Sequence, residues 1–239
     1  MVVQRILWIG NTTLLKKIAK LNEEREYETW IVKTREKEIV RALIFTRPIH
    51  LGTKLRPLLS SLDGAEDAFL VINKLDSIFG EILVSCSVNG ISKGTILLQP
   101  DEEWIDPNQI KLMLEQVNLT KWKVLTKEPD TTEMRIKWIE NVDTTKMNHK
   151  EPLIVIDQSF TVTGIGTVAL GNVLEGRVKK HDELIHAREL GKGIVRSIQV
   201  LDEEVEYAQK SDRVGLALRG IDPKILSKGD LLHTSSINK

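Results

Sequence analysis

Few residues in this chain have the types and spacing that chemistry requires. Arg177, Lys179 and Lys180 form a compact basic run, and Arg196, Lys210, Arg213 and Arg219 add positive charge on neighbouring strands and turns. Guanidinium and ammonium groups at that density can hold phosphates, although most such runs only keep a surface soluble. Asp101-Glu102-Glu103 and Asp202-Glu203-Glu204 set carboxylates side by side, as general acid–base catalysis can require. Each lies in a charged loop without a partner histidine and reads as a solvated turn. The 5 histidines lack metal-ligand spacing, so no metal and no cofactor is expected. Cys86, the sole cysteine, sits on an apolar helical pattern and reads as a small core residue. It excludes an internal disulfide and a cysteine-based zinc site, and suits a reducing compartment. Thr12 and Thr13 stand where they would cap a first helix, whose N-terminus weakly attracts anions.

The elements that must position these groups divide into two sets. The chain has 239 residues, with 34 Lys plus Arg against 34 Asp plus Glu. A formal charge of zero excludes a global pull toward nucleic acid, so DNA is not an expected partner and any RNA contact must be a local patch. No stretch approaches the roughly 18 apolar residues of a membrane span, so a cytoplasmic protein with no membrane partner is expected. All 5 tryptophans precede residue 150, whereas glycine is concentrated after it. The polar run from Asn141, closed by Pro152, separates the two compositions. The expected organisation is a domain over 1–143, a linker over 144–152 and a second domain over 153–239.

In the first domain, apolar runs predict strands at Val3 to Ile9, Tyr27 to Val32, Ile39 to Phe45, Ala68 to Ile72, Thr95 to Leu98 and Trp122 to Leu125. Helical periodicity predicts helices at Thr12 to Leu21, Lys54 to Leu62, Ser77 to Val88, Pro107 to Val117 and Thr131 to Asn141. Alternation of this kind implies α/β architecture with a mostly parallel sheet. The second domain changes period: short strands at Ile154 to Ile156, Phe160 to Thr163, Thr167 to Leu170, Glu183 to His186, Gly193 to Val200 and Gly215 to Arg219 are separated by glycine-bearing turns. That pattern predicts a small β-barrel.

Phe160-Thr-Val-Thr-Gly-Ile-Gly-Thr-Val-Ala-Leu-Gly171, Val173 to Leu184, Ser197-Ile-Gln199, Ser211 to Gly220 and Leu226 to Leu232 follow one another in an order and spacing that resembles the second domain of translational GTPases. The selenocysteine-specific elongation factors are the most similar branch. Gly164, Gly166 and Gly171 suit turns and corners that exclude a Cβ. The resemblance implies that the first domain is a P-loop GTPase-like domain, and its motifs are degenerate. The family's glycine-rich loop ending in Gly-Lys-Thr is replaced by Gly10-Asn-Thr12-Thr13, without the phosphate lysine. Its Asp-x-Pro-Gly-His reads Thr46-Arg-Pro-Ile-His50, losing the aspartate that reaches magnesium and leaving His50 nothing to act on. Asn73-Lys-Leu-Asp76 matches the guanine-reading Asn-Lys-x-Asp but falls one strand early, and Gln99-Pro-Asp-Glu102 occupies the corresponding position.

The vestigial nucleotide site would therefore comprise Gly10, Thr12, Thr13 and His50. Carried over by position, the family's small-subunit RNA contacts would fall near Thr163 to Ile165 and Lys210 to Arg213, and its tRNA acceptor-end pocket near Val168 and Gln199. Gln199 stands where the general elongation factor has glutamate. Thr163, Gly164, Arg177, Lys179, Lys180, Arg196, Gln199, Lys210 and Arg213 are the candidate RNA-binding residues. No third domain is expected after Gly229-Asp-Leu-Leu. The implied function is a pseudo-GTPase acting on ribosomal RNA or tRNA through its barrel. Alternatives are an adaptor that competes for a translation factor's protein partner without touching RNA, and a residual GTP-binding factor.

Overall fold

A computed structural model describes residues 2–36, 39–101, 104–142 and 151–234. Most of the expected linker, and the Glu102-Glu103 pair, lie outside them. The chain separates into two compact units, residues 1–144 and 145–239.

The first unit is a seven-stranded sheet with helices on both faces. Strands β1 (Val2–Ile9), β2 (Lys20–Glu24), β3 (Tyr27–Glu36), β4 (Ile39–Pro48), β5 (Asp67–Ile72), β6 (Lys93–Leu98) and β7 (Lys123–Leu125) run in the order β2-β3-β4-β1-β5-β6-β7. From β4 to β7 all pairings are parallel, while β2–β3 and β3–β4 are antiparallel. Helices α2 (Leu55–Leu62), α3 (Ser77–Val88) and α4 (Pro107–Gln116) bury Leu58, Phe79, Leu83 and Ile110 against one face. Helices α1 (Thr13–Ile18) and α5 (Thr131–Glu140) cover the other, over Trp8, Phe45 and Phe69. Trp8 stacks on Phe69 at 4.8 Å, and Trp138 of α5 lies 5.6 Å from both Phe45 and Phe69. Cys86 is fully buried in α3, and burial pushes its thiol up to about 12.

The sequence pattern overextends one helix. Helix α1 stops at Ile18, Ala19 is extended, and Leu21, expected on the buried face, lies on the edge strand β2 and is 47% exposed. A six-residue helix is not stable alone, so burial of Leu14, Leu15 and Ile18 is what holds it. Beyond Ile18, pairing with β3 satisfies the backbone as a ladder, and the helix has no reason to continue.

The second unit is a closed barrel. Strands β8 (Leu153–Val162), β9 (Gly166–Glu175), β11 (Glu183–His186), β12 (Lys192–Val200), β15 (Arg213–Arg219) and β16 (Leu231–His233) pair antiparallel in the order β11-β16-β8-β9-β15-β12, and β12 returns to β11. Strand β13 (Glu203–Val205) extends β12, and β10 (Arg177–Lys179) pairs with β14 (Tyr207–Gln209) as a separate ribbon. The two predicted strands at 154–156 and 160–163 are one strand, bent by a bulge between Ile156 and Gln158. The expected α/β unit followed by a small β-barrel is the fold observed.

Three glycines do what the sequence requires of them. Gly164 and Gly166 have φ of 81° and 105° in the β8–β9 turn, and a Cβ on Gly171 would fall 2.2 Å from the Val155 carbonyl oxygen. The barrel seam is held by His186. Its Nδ1 accepts the Arg188 N–H at 3.0 Å, and its Nε2 lies 3.1 Å from an Asp230 carboxylate oxygen. No helix among the described residues is long and apolar enough to cross a membrane.

The Gly171 contact gives a direct test. Gly171→Ala must displace the β8 backbone and is expected to destabilise the barrel by about 1–3 kcal/mol, read as a lower thermal midpoint. Gly164→Ala, with open space around it but a positive φ, should cost less than that.

Candidate functional site

The C-terminal ends of β1, β4, β5, β6 and β7 gather the loops where a sheet of this topology binds ligands. Gly10 opens the first of these loops. It is required there by packing: its φ is 107°, and a Cβ would meet Val71 Cβ at 2.7 Å. The loop is fastened through its carbonyls. Arg47 Nε donates to the Gly10 carbonyl at 3.0 Å and Trp8 Nε1 donates to the Asn11 carbonyl at 3.1 Å. Arg47 is held in turn by Glu28 of β3 at 3.1 Å, and Glu28 also accepts from Trp30 Nε1 at 2.8 Å. Thr12 makes no side-chain cap; the Asn11 carboxamide accepts from Thr13 N–H at 3.0 Å instead. The expected capping by Thr12 or Thr13 is thus corrected. Asn11 reaches the helix better because its longer carboxamide arm folds back over two residues.

The remaining motif positions are absorbed in the same way. Thr46, where the family keeps a metal-linked aspartate, is buried and donates its hydroxyl to the Ser61 carbonyl at 2.6 Å. His50 is an exposed turn residue with φ 61°, and its carbonyl accepts from Thr53 Oγ1 at 2.9 Å. Asn73-Lys-Leu-Asp76 follows β5 and precedes α3, so it is indeed one strand before the position that reads guanine in the resembled family. Asp76 caps α3 by accepting from Phe79 N–H at 3.0 Å, and Asn73 donates to Asp101 at 2.5 Å. Partial burial works to raise the Asp76 carboxyl, but the Phe79 amide and Lys74 outweigh it and hold it below its ordinary 3.8. Gln99, after β6, donates to Glu128 at 3.3 Å, and Glu128 pairs with Lys17 of α1 at 3.2 Å. Two carbonyls of the first loop, the Thr13 N–H and the Thr46 hydroxyl are therefore engaged within the unit itself.

In the barrel, the candidate RNA residues do not converge. Thr163 and Gly164 lie at the exposed tip of the β8–β9 turn, beside Ile165. Lys210 and Arg213 lie at the opposite end of β15. Five residues of ladder separate the Thr167–Leu218 and Asn172–Arg213 pairs, about 17 Å at the usual rise. Arg177 lies over the Tyr207 ring at 4.3 Å and contacts Gln209. Lys180 is bracketed by Glu204 and Glu206, each at 2.8 Å, and these raise its ammonium above its ordinary value. Arg213 pairs with Asp157 at 3.0 Å. Within the basic run, therefore, only Lys180 is neutralised by carboxylate contacts: Arg177 is engaged by uncharged groups, and Lys179 is exposed without a charged partner among the described residues. Glu204, read as part of a solvated turn, is one of those neutralising groups.

Val168 and Gln199 do share an outer face. Register aligns Phe160, Val168, Ala217 and Ser197 in one row, and Gln158, Leu170, Gly215 and Gln199 in the next. Gly215 leaves room for Leu170 and Gln199 on either side: the position of its missing Cβ is 3.5 Å from Leu170 Cδ2 and 3.8 Å from Gln199 Cβ. The Arg47 contact with Gly10 was invisible in sequence, since the two are 37 residues apart.

Two substitutions test this account of the first unit. Arg47→Ala should lower its stability by about 1–3 kcal/mol and speed amide hydrogen exchange at residues 10–13. Asp76→Ala should cost about 1 kcal/mol as a lost helix cap. Because the folded carboxyl sits below its ordinary value, that cost is fully present above about pH 4 and disappears as pH falls through the folded value, which chemical denaturation across pH would record.

Residues 166–233 match the elongation factor Tu domain 2 family. Over 197 residues the chain is 29% identical to an uncharacterised protein of Methanocaldococcus jannaschii, covering 82% of this chain and 62% of that one. It is 28% identical over 195 residues to elongation factor 1-alpha of Methanosarcina acetivorans, covering 77% of this chain and 44% of the factor. Among solved structures, a bacterial selenocysteine-specific elongation factor superposes with a TM-score of 0.72 at 19% identity, over 98% of this chain and 45% of that one. The chain thus spans less than two thirds of the length of these relatives. Most of its barrel thus matches the elongation factor Tu domain 2 family, and the chain shares the fold of the corresponding part of the selenocysteine-specific elongation factor.

Proposed function

We propose that this chain is a non-catalytic, translation-factor-like protein whose first unit is a pseudo-GTPase and whose barrel contacts ribosomal RNA or tRNA to regulate translation. The observation that carries the first half is the fastening of the loop after β1. Arg47 and Trp8 donate to the Gly10 and Asn11 carbonyls, which fixes how the loop's peptides are turned, and the Thr13 N–H, a donor that could face phosphate, is taken by the Asn11 carboxamide. Electrostatic stabilisation of a transferring phosphoryl group needs donors and cations aimed at it, and here the cation is spent on the protein's own carbonyl and on Glu28. Thr12, Thr13 and His50 then have structural roles only.

Support for the second half is the outer barrel face, where Phe160, Val168, Ser197 and Gln199 line adjacent strands. Thr163, Gly164 and Arg196 lie at one end of the barrel as contact candidates, and Lys179, Lys210 and Arg213 toward the other. The neutralisation of Lys180 and Arg213 by carboxylates, with Arg177 engaged by Tyr207 and Gln209, favours a second reading. A barrel without a dense positive face could serve as an adaptor for a translation factor's protein partner. A cytoplasmic location accords with both.

Titration with fluorescent GTP and GDP should give no saturable binding in the micromolar range, and a well-behaved micromolar isotherm would overturn the pseudo-GTPase reading. Ribosome co-sedimentation at two salt concentrations separates the two readings of the barrel. RNA phosphate contacts weaken steeply with salt, so the bound fraction should fall sharply at the higher one. An undiminished fraction favours the adaptor.

A further inference from the structure

The sheet of the first unit has a strand that its outer neighbour covers only in part. Strand β3 pairs with β4 along its whole length, in ten consecutive pairs from Tyr27–Pro48 to Glu36–Ile39 without a register shift. On its other side β2 reaches only from Glu28 to Ile31. Among the described residues no strand pairs with that side over Val32 to Glu36. A regular strand edge of this kind offers a row of backbone donors and acceptors to another extended chain. The outer edges of the sheet lack that regularity. Strand β2 is bulged at Asn22 and ends in Glu23 and Glu24, and β7 is only three residues long. Bulges, edge charges and short strands are the usual devices against edge pairing.

The side chains of the uncovered stretch select what can pair with it. Alternation along the strand puts Val32, Thr34 and Glu36 on one face and Lys33 and Arg35 on the other. Val32 packs against the core under α1 and α5, and Glu36 accepts from Arg41 at 2.6 Å, so the first face is turned to the unit itself. The second face presents two exposed cations, opposite the uncharged Ala42 and Val40 of β4. Those cations reject a second copy of this chain. In a two-fold antiparallel pair centred on Thr34, Lys33 faces the copy's Arg35. Centred on Lys33 or on Arg35, each faces itself. Like charges directly opposite are destabilising, whereas opposite charges there attract. The same pair disfavours an apolar strand, whose side chains would strip water from the ammonium and guanidinium groups. What remains is an extended segment with carboxylates at alternate positions.

We propose that the edge of β3 from Val32 to Glu36 docks an extended acidic segment of a partner protein, which adds to the sheet in line with β2 and sets its carboxylates opposite Lys33 and Arg35. The backbone ladder supplies the affinity and the two cations the choice of sequence. This edge lies at the far end of β4 from Arg47 and the loop after β1, and the proposal depends neither on what that loop holds nor on what the barrel contacts.

The test is fluorescence anisotropy with the whole chain and three labelled probes: a peptide alternating glutamate with valine and threonine, its lysine counterpart, and polyglutamate. The alternating glutamate peptide should bind about tenfold more tightly than the lysine peptide. It should also bind more tightly than polyglutamate, which carries the charge without the strand propensity. On binding, amide hydrogen exchange should slow at residues 32–36 and stay unchanged along the outer side of β2. Lys33→Glu/Arg35→Glu should reverse the preference, losing the glutamate peptide and gaining the lysine one, a gain that a damaged fold does not produce. If that variant melts below wild type, the wild-type exchange map decides alone. The proposal is overturned if the glutamate peptide does not bind, if polyglutamate binds as well, if exchange slows elsewhere, or if a folded variant keeps the wild-type preference. A dimer in sedimentation that the charge reversal dissociates would assign the edge to a second copy and overturn it too. Nucleotide titration and ribosome co-sedimentation read the function proposed above separately, so the two succeed or fail apart.

Discussion

A carbonyl that has found its donor fixes the peptide it belongs to, which cannot be reoriented without breaking that bond. The loop after β1 has two such carbonyls, Gly10 satisfied by Arg47 and Asn11 by the Trp8 indole. Each donor is itself anchored. Trp8 is fully buried, stacked on Phe69 and edge-on to Phe45 at 6.0 Å. Arg47 is tied to Glu28, which Trp30 also engages. To open the loop would desolvate two carbonyls, unpair a half-buried guanidinium and loosen an aromatic cluster at the centre of the sheet. The loop's shape is therefore a consequence of the core beneath it, and the other loops at this edge follow the same logic of internal satisfaction. Glu128 is shared between Lys17 and Gln99, and Asn73 is committed to Asp101.

The barrel solves a different problem. Six short strands close on themselves and leave few edges, so its interior is apolar and its interest lies outside. Charge on that outside is mostly balanced where it stands. Lys180 lies between two carboxylates, and Asp157 takes Arg213. Nothing in a formal charge of zero distinguishes a uniformly balanced surface from one with a single uncompensated spot.

Much of the architecture was legible in the sequence because it is written in periodicity. The continuous apolar run Ala68 to Ile72 became a central parallel strand, and the glycines at 164, 166 and 171 marked a turn and a corner. Where the reading failed, the deciding interaction was non-local. Leu21 fits a helical stripe as well as a strand, and only the availability of β3 decides between them. The candidate site suffered more. That Thr163 and Lys210 sit at opposite ends of a ladder depends on strand register, which a basic residue does not encode. That Arg177 stacks on Tyr207 depends on a ribbon of two three-residue strands too short to leave a pattern.

The survival of motif fragments is explained by their second roles. Gly10 is irreplaceable against Val71 whether or not a phosphate ever approaches it. Asp76 caps a helix whose first turn has no other acceptor at that position, and Asn73 ties two loops together. Residues of this kind satisfy packing and backbone hydrogen bonding on their own account. Thr46 does the same at the end of β4, where its hydroxyl donates to the Ser61 carbonyl. What these positions share is that the fold itself needs the atom.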